Sequence, residues 1–462
     1  MKALQSVLIA GFAAALFCLG LAHAGPPPEQ VENLAPPEEG AEAPSATPQE
    51  TPEPPAIPPG TVINKTNWMQ YKQFFSDGEV GLWEGKWFWK MPDDVQLNVG
   101  PTKVYPLPEP FVELTERYGD QTQLVKLPNG RWQLRNYLAG MPFALPHEPN
   151  MGLKILTNVY YRINPHLIAG FRDSGTPITV CNMDRFNDVL CWKFNFDIRQ
   201  MAYNWETGVP RIEKDAGGAW LGIYIDIVQP EQYRYITDLV LRWQDNLRLE
   251  DNYLFIPALR RSLRLSDASH CAPIFTFADN THDDIWGGWN GGIGDFDASF
   301  VKRMKLLALT QLNNDYGNFP DNYDLPLGWA KPSWGAWELR NVWVIEIRPI
   351  PLIGSKYCYT KRVMYVDMSF NAPLAQDLYD NKMNLSKIIL LNLRPAETTS
   401  YGMQSWAGGG MQQLWNLHNN HAVMGFTADA HGHNWTIDSA VKSKYDNIHA
   451  FQTASGILHQ MR

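Results

Sequence analysis

The sequence predicts a mainly β protein: one large, curved antiparallel sheet with few helices. Three observations carry this reading. Strand-length runs with period-2 alternation recur after residue 61, separated by turns and with few helical patterns between them. The 462 residues are 45% hydrophobic and 19% charged, which is enough apolar material for a large core. The chain also holds 18 Trp, 19 Tyr and 20 Phe, side chains that supply broad surfaces for stacking and burial.

Taken in order, the chain opens with Lys2, an apolar stretch from Val7 to Leu21, and the small-x-small pattern Ala22-His23-Ala24. This predicts a secretory signal peptide (residues 1–24) cleaved after Ala24. As a membrane anchor the stretch is short, and its flank breaks into Pro26-Pro27-Pro28. Cys18 does not read as a lipidation site, because lipidated cysteines follow a small residue and Phe17 precedes this one. No later segment approaches the ~20 apolar residues needed to span a bilayer. A soluble, exported product is expected.

Residues 25–60 hold 12 of the 34 prolines and seven glutamates, with no Lys or Arg. Such a segment cannot bury enough apolar surface to offset its ordering entropy, so a disordered tether is expected. Residues 61–462 then read as a single domain. Seven glutamates against one lysine place −6 of the −9 net charge in residues 1–60, leaving a nearly neutral body. With a pI near 5.7, this excludes a protein built on a basic patch for nucleic acid and makes electrostatic steering a poor account of function.

In the body, Thr66 to Phe75 predicts a short helical opening, and a second helix fits between Gly152 and Ile163. The run Cys191 to Asp197 alternates, placing Trp192, Phe194 and Phe196 on one face and Lys193, Asn195 and Asp197 on the other. Trp220 to Val228 is apolar on both faces, as a strand covered from both sides would be. Tyr235 to Trp243 alternates again and groups Tyr235, Leu239, Leu241 and Trp243. Further strands are expected at Tyr253–Ile256, Phe300–Thr310, Trp337–Ile347, Tyr359–Asp367 and Ala422–Ala428. A sheet that curls can enclose an apolar interior, and a ligand can occupy it where side chains do not fill it. Packing of a core is the alternative use of each aromatic.

Without Cys18, four cysteines remain: Cys181, Cys191, Cys271 and Cys358. In an oxidising compartment they allow two disulfides in three connectivities, and Cys181 with Cys191 across a short hairpin is the first choice. Four buried thiols are the alternative. No Cys-x-x-Cys spacing points to zinc.

Several blocks resemble proteins carrying the DUF1329 domain, which are related to the LolA/LolB lipoprotein carriers and labelled outer-membrane lipoprotein-sorting proteins. They are Asn136-Tyr-Leu-Ala-Gly-Met-Pro-Phe143 with Gly152-Leu-Lys, Tyr253-Leu-Phe-Ile-Pro-Ala-Leu-Arg-Arg261, Trp337-Glu-Leu-Arg-Asn-Val-Trp-Val344, and Tyr359-Thr-Lys-Arg-Val-Met-Tyr-Val-Asp367 continuing to Gln376-Asp-Leu-Tyr-Asp380. None is a catalytic signature; in this order they extend over roughly residues 61 to 430. The resemblance implies a LolA/LolB-like incomplete β-barrel with an apolar concave face plugged by helices, set in a Gram-negative periplasm. It also implies association with the outer membrane, and as partners an exporter of the resistance-nodulation-division type and an outer-membrane protein. The acidic tether, the loop Gly287-Gly-Trp-Asn-Gly-Gly-Ile-Gly294 and a His-containing tail depart from the common pattern.

The expected function is therefore that of a non-enzymatic periplasmic carrier for a lipid, an acyl chain or a lipoprotein, with no cofactor. An acyl chain in water costs about 0.8 kcal/mol per exposed CH₂, which a closed pocket removes during transit. The contact surface is expected on Trp192, Phe194, Phe196, Tyr235, Leu239, Trp243, Trp337 and Trp343. A one-residue register error would invert each such set. By analogy with LolA, Arg260 or Arg261 could hold a lid through backbone carbonyls, and Trp286 and Trp289 of the Gly-rich loop could cap the rim. Ordinary surface arginines and a plain turn are the alternatives.

Catalytic readings are weaker. His418, His421, His431 and His433 lie within sixteen residues and His282-Asp283-Asp284 adds carboxylates, but His-Glu-x-x-His is absent, so no metal is expected. Ser405 lacks the Gly-x-Ser-x-Gly spacing, and the Gly-rich loop lacks a P-loop ending. The rival from another class is a secreted carbohydrate-binding protein or glycoside hydrolase, with Asp283, Asp284, Asp295 and Asp297 as candidate carboxylates.

Overall fold

The computed structural model describes residues 56–170, 178–265, 270–271, 279–284, 288–313, 319–393, 396–399, 402–405, 410–426 and 446–459. The chain divides into two units, Met1–Glu53 and Pro54–Arg462, and all described residues belong to the second. The signal peptide and most of the tether lie outside the described residues, as do Trp286, His431 and His433.

Among the described residues, fourteen strands form one antiparallel sheet. In chain order they are β1 (Leu167–Gly170), β2 (Ile178–Asp184), β3 (Val189–Gln200), β4 (Ala219–Gln229), β5 (Thr237–Trp243), β6 (Asp251–Ile256) and β7 (Arg261–Leu265). The second half comprises β8 (Phe296–Leu312), β9 (Gly335–Pro349), β10 (Lys361–Asp367), β11 (Pro373–Tyr379), β12 (Leu385–Leu393), β13 (Gly410–Asn416) and β14 (His421–Phe426). The spatial order is β7-β6-β5-β4-β3-β2-β14-β13-β12-β11-β10-β9-β8, with β1 pairing along β3 beyond the end of β2. The two end strands, β7 and β8, do not pair, so the sheet is not closed into a barrel.

Few helices cover it. Helix α1 (Asp77–Glu84) starts at a capping box formed by Ser76 and Glu79 and stops at Gly85, whose φ of 69° an L side chain rarely adopts. Helix α2 (Glu109–Tyr118) buries Phe111 and Leu114. Helix α3 (Met151–Tyr160) is buried almost all round, as its apolar sequence MGLKILTNVY requires. It crosses β8 at Gly152, where a Cβ would stand 2.4 Å from the Ser299 carbonyl carbon and 2.5 Å from Phe300 N. The single turn α4 (Ile448–Phe451) is capped by Asn447. No helix of the described residues is long and apolar enough to cross a membrane.

Among the described residues, three apolar clusters form the core. The first packs α1 and a 3₁₀ helix at Trp68–Phe74 against the second half of the sheet, including Leu378, Ile388 and Leu414. The second surrounds α3 and takes Ile223 and Val240 from β4 and β5 together with Trp343, Ile345 and Met364 from β9 and β10. Strands from opposite halves therefore meet one cluster, which requires the sheet to bend around α3. The third lies on the other face, where Tyr224, Leu239 and Phe255 meet Ile448, Phe451 and Ile457 of the C-terminal segment.

The helical opening expected at Thr66–Phe75 is a 3₁₀ helix over Trp68–Phe74. Two expectations need correction. Residues 56–60, read as tether, pack: Ile57 is buried and Gly60 N donates to Val99 O at 2.8 Å. Strand β5 starts at Thr237, because Tyr235 sits in a turn with φ 68° and an exposed ring, which removes it from the face shared by Leu239, Leu241 and Trp243. Asn195 and Asp197 are both buried: Asn195 Nδ2 donates to Asp226 Oδ2 at 3.5 Å, and Gln452 Nε2 of the C-terminal segment donates to Asp197 Oδ1 at 2.7 Å.

Candidate functional site

The Gly-rich loop roofs the second cluster. Gly288 adopts φ 79°, a left-handed conformation suited to glycine, and the chain then drives Trp289 and Ile293 fully into the apolar layer around α3. The Trp289 indole is fixed by its Nε1 donating to Gly292 O at 3.0 Å and by an edge-on Phe296 ring at 4.9 Å. What holds this roof down is a set of buried side chains aimed at its carbonyls. Gln376 Nε2 on β11 donates to Gly288 O at 2.7 Å, and Arg362 Nη1 on β10 reaches the same oxygen at 3.5 Å. Arg162, just past α3, directs Nη1 to Trp289 O at 3.5 Å and to Val159 O at 3.2 Å.

Behind these donors lies a charged layer. Arg362 Nη2 donates to Asp284 Oδ1 at 2.6 Å, while the Tyr359 hydroxyl and Thr281 Oγ1 donate to Asp284 Oδ2 at 2.7 and 2.9 Å. Burial opposes the Arg362 charge, yet Asp284 beside it keeps the guanidinium protonated beyond the usual arginine range. Next to this pair, His270 Nδ1 lies 2.7 Å from Asp283 Oδ1 and the Tyr357 hydroxyl donates to Asp283 Oδ2 at 2.6 Å. Burial works against charge on both His270 and Asp283. Their mutual attraction outweighs it, pushing His270 up to about 10 and holding Asp283 below the usual carboxylate range. Cys271 and Cys358, bonded with Cα atoms 5.5 Å apart, join the residues that follow His270 and Tyr357. Cys181 and Cys191, opposite each other on β2 and β3, are bonded with Cα atoms 4.0 Å apart.

The residues expected to contact ligand do not share one surface. Phe194 and Trp343 meet in the second cluster with Trp289 of the loop. Trp337 belongs to the first cluster. Leu239 and Trp243 lie on the opposite face with the third, where Arg248 stacks over the Trp243 ring at 3.3 Å. Trp192 is buried 4.4 Å from the Tyr233 ring, beside the bulge in β4 where the pairing with β3 steps from Gln229 to Ile227. Phe196 lies on β3 and its side chain is outside the description, as is all of Trp286. Arg260, with φ 50°, and Arg261 are exposed at the turn between β6 and β7; the arginines that reach the loop are Arg162 and Arg362.

The other candidate chemistry is engaged elsewhere. His418 pairs with Asp380 at 3.3 Å and His421 with Asp279 at 3.0 Å. Asp295 is held by Arg131 at 2.5 Å, and Asp297 accepts from Trp132 Nε1 at 2.7 Å. Strands of ordinary apolar pattern supplied the residues that were missed, Arg362 within β10 and Arg242 within β5. A charge in the middle of an apolar strand is itself the available signal, because burying one demands partners.

Residues 62–454 match the family model DUF1329, described as a protein of unknown function, and the chain belongs to that family. Among solved structures it is similar to a DUF1329 family protein from Desulfovibrio piger, at 15% identity over 66% of this chain and 100% of that one, with a TM-score of 0.42. A domain described as that of an outer membrane lipoprotein-sorting protein, from Vibrio parahaemolyticus, matches at 15% identity over 62% of this chain and 93% of that one, TM-score 0.40. A LolA superfamily protein from Nitrosomonas europaea matches at 10% identity over 58% and 86%, TM-score 0.31. No curated protein matches the sequence.

Proposed function

We propose that this DUF1329 protein is a periplasmic carrier that shelters a hydrophobic ligand (a lipid, an acyl chain or the lipid of a lipoprotein) in the apolar layer around α3. The observation that carries the reading is the roof. A short glycine-rich loop, rather than a strand or helix, closes that layer, and it is tied down through its own carbonyls by Gln376, Arg362 and Arg162. Such a closure can lift without disturbing a ladder of backbone hydrogen bonds. Loading then exchanges Trp289 and Ile293 for ligand tail, at about 0.8 kcal/mol per CH₂ removed from water.

The signal-peptide pattern at residues 1–24 and the disulfide bonds support an exported, oxidising setting. The partners that the DUF1329 resemblance implies, an exporter of the resistance-nodulation-division type and an outer-membrane protein, would form the two ends of its route. The test is direct: protein purified from periplasm is extracted with organic solvent and the extract analysed by mass spectrometry. Co-purified lipid is the expected result. Oligosaccharide binding with no lipid would replace the carrier with the carbohydrate rival.

A further inference from the structure

On the inner face of the sheet, beside the apolar layer, three buried hydrogen-bond donors meet no acceptor among the described residues. They are Arg242 Nη1, Trp220 Nε1 and Tyr161 Oη, on side chains only 2–3% exposed. They are neighbours. Arg242 on β5 pairs with Leu221, and Trp220 is the bulged residue next to it on β4. The Tyr161 ring lies 5.0 Å from the Trp220 ring, and the Arg242 guanidinium lies 5.4 Å from the ring of Tyr160, which itself touches both aromatics. Trp220 Nε1 approaches the Tyr160 hydroxyl without an aligned hydrogen bond.

Leaving one buried donor unmet costs as much as most hydrogen bonds contribute, and three together, one of them charged, form a costly set. Their chemistry is uniform: all donate, and one is a guanidinium fork. Glu250 meets the fork only at its Nε edge, at 3.5 Å, which leaves the Nη1 edge for a second acceptor. A second guanidinium strengthens the positive field. Burial and the charge of Arg242 pull Arg162 down to about 9, so an anion placed here would relieve both arginines. The same Arg162 holds Trp289 O, so this corner lies under the roof and beside the apolar layer.

We propose that Arg242, with the Trp220 indole and the Tyr161 hydroxyl, receives the anionic head of a long-chain amphiphile, a carboxylate or phosphate ester, whose tail lies along the apolar layer around α3. This rests on the carrier reading and adds to it the head-group class. Charge-assisted hydrogen bonds supply selectivity for the acid over an uncharged chain of equal length, while the tail supplies the larger share of affinity.

The experiment measures equilibrium binding of oleate, oleyl alcohol and acetate to the full mature chain, and of the two long chains to Tyr161→Phe and Arg242→Gln. Tyr161→Phe removes only a hydroxyl with no acceptor among the described residues, so its folding is secure even where Arg242→Gln fails to fold. Oleate is expected to bind at least about tenfold more tightly than oleyl alcohol. Tyr161→Phe should weaken oleate several-fold and leave the alcohol unchanged, and Arg242→Gln should erase the preference. Equal binding of oleate and the alcohol, or an unchanged preference in Tyr161→Phe, overturns the head-group assignment and leaves the carrier standing. Acetate binding as tightly as oleate overturns the amphiphile in favour of a small-anion site. Failure of both long chains to bind removes the carrier reading and this inference with it.

Discussion

Replacing Gly288 by alanine should release the roof while sparing the charged layer behind it. The residue has φ 79°, and a Cβ there would stand 2.5 Å from Gln376 Nε2 and 2.4 Å from Leu391 Cδ1. Alanine in a left-handed conformation costs about 1 kcal/mol or more. The displaced Gln376 amide loses its 2.7 Å bond to Gly288 O, typically another ~1 kcal/mol. Both neighbours are flexible side-chain ends, so the sheet itself should hold. The total, about 2 kcal/mol, raises the population of the opened loop roughly thirtyfold. Native-state hydrogen exchange reads this at the Asn290 amide, which donates to Asp283 O at 3.1 Å in the closed form. Its exchange should accelerate by about that factor while amides in the centre of β10 and β11 change little. An unaltered Asn290 rate would show that the carbonyl ties do not hold the loop. Equal acceleration throughout the sheet would show that the loop opens only with global unfolding.

Two further outcomes concern the framework. Gly152→Ala should destabilise the protein by about 1–3 kcal/mol or more in chemical denaturation, because the new methyl meets the backbone of Ser299 and Phe300, which cannot rotate aside; wild-type stability would mean that α3 can shift off β8. Burial pushes Glu79 up to about 8 and Asp377 up to about 7, so between pH 5 and 8 the native chain holds more protons than the unfolded one. Stability should then fall as pH rises through that window, by up to about 1.4 kcal/mol per pH unit for each group, and Asp377→Asn should flatten the decline; an unchanged slope in that variant would refute the assignment.

What could be read along the chain was whatever depends on near neighbours. Trp220 to Val228 was legible as a two-sided strand because burial on both faces leaves a continuous apolar run, and β4 spans Ala219–Gln229. Alternation failed where the backbone broke the pleat, at the left-handed Tyr235. It is silent on what buries Asp197, because Gln452, which covers it, lies 255 residues away. The Gly-rich loop stood out by composition. Its ties did not, because Arg162, Arg362 and Gln376 come from three separate elements, and nothing near each of them in sequence says that they converge.

The position of β14 constrains how such a chain can mature. Strands β2 to β7 and β8 to β13 are each consecutive ribbons, and they become one sheet only when His421–Phe426 slots between β2 and β13. Until those late residues arrive, two half-sheets wait with raw edges, the template on which strands of other chains add. A product cut short before His421 should therefore be an aggregation hazard rather than a smaller working protein, and a holdase that masks those edges would be of most use until His421–Phe426 has paired.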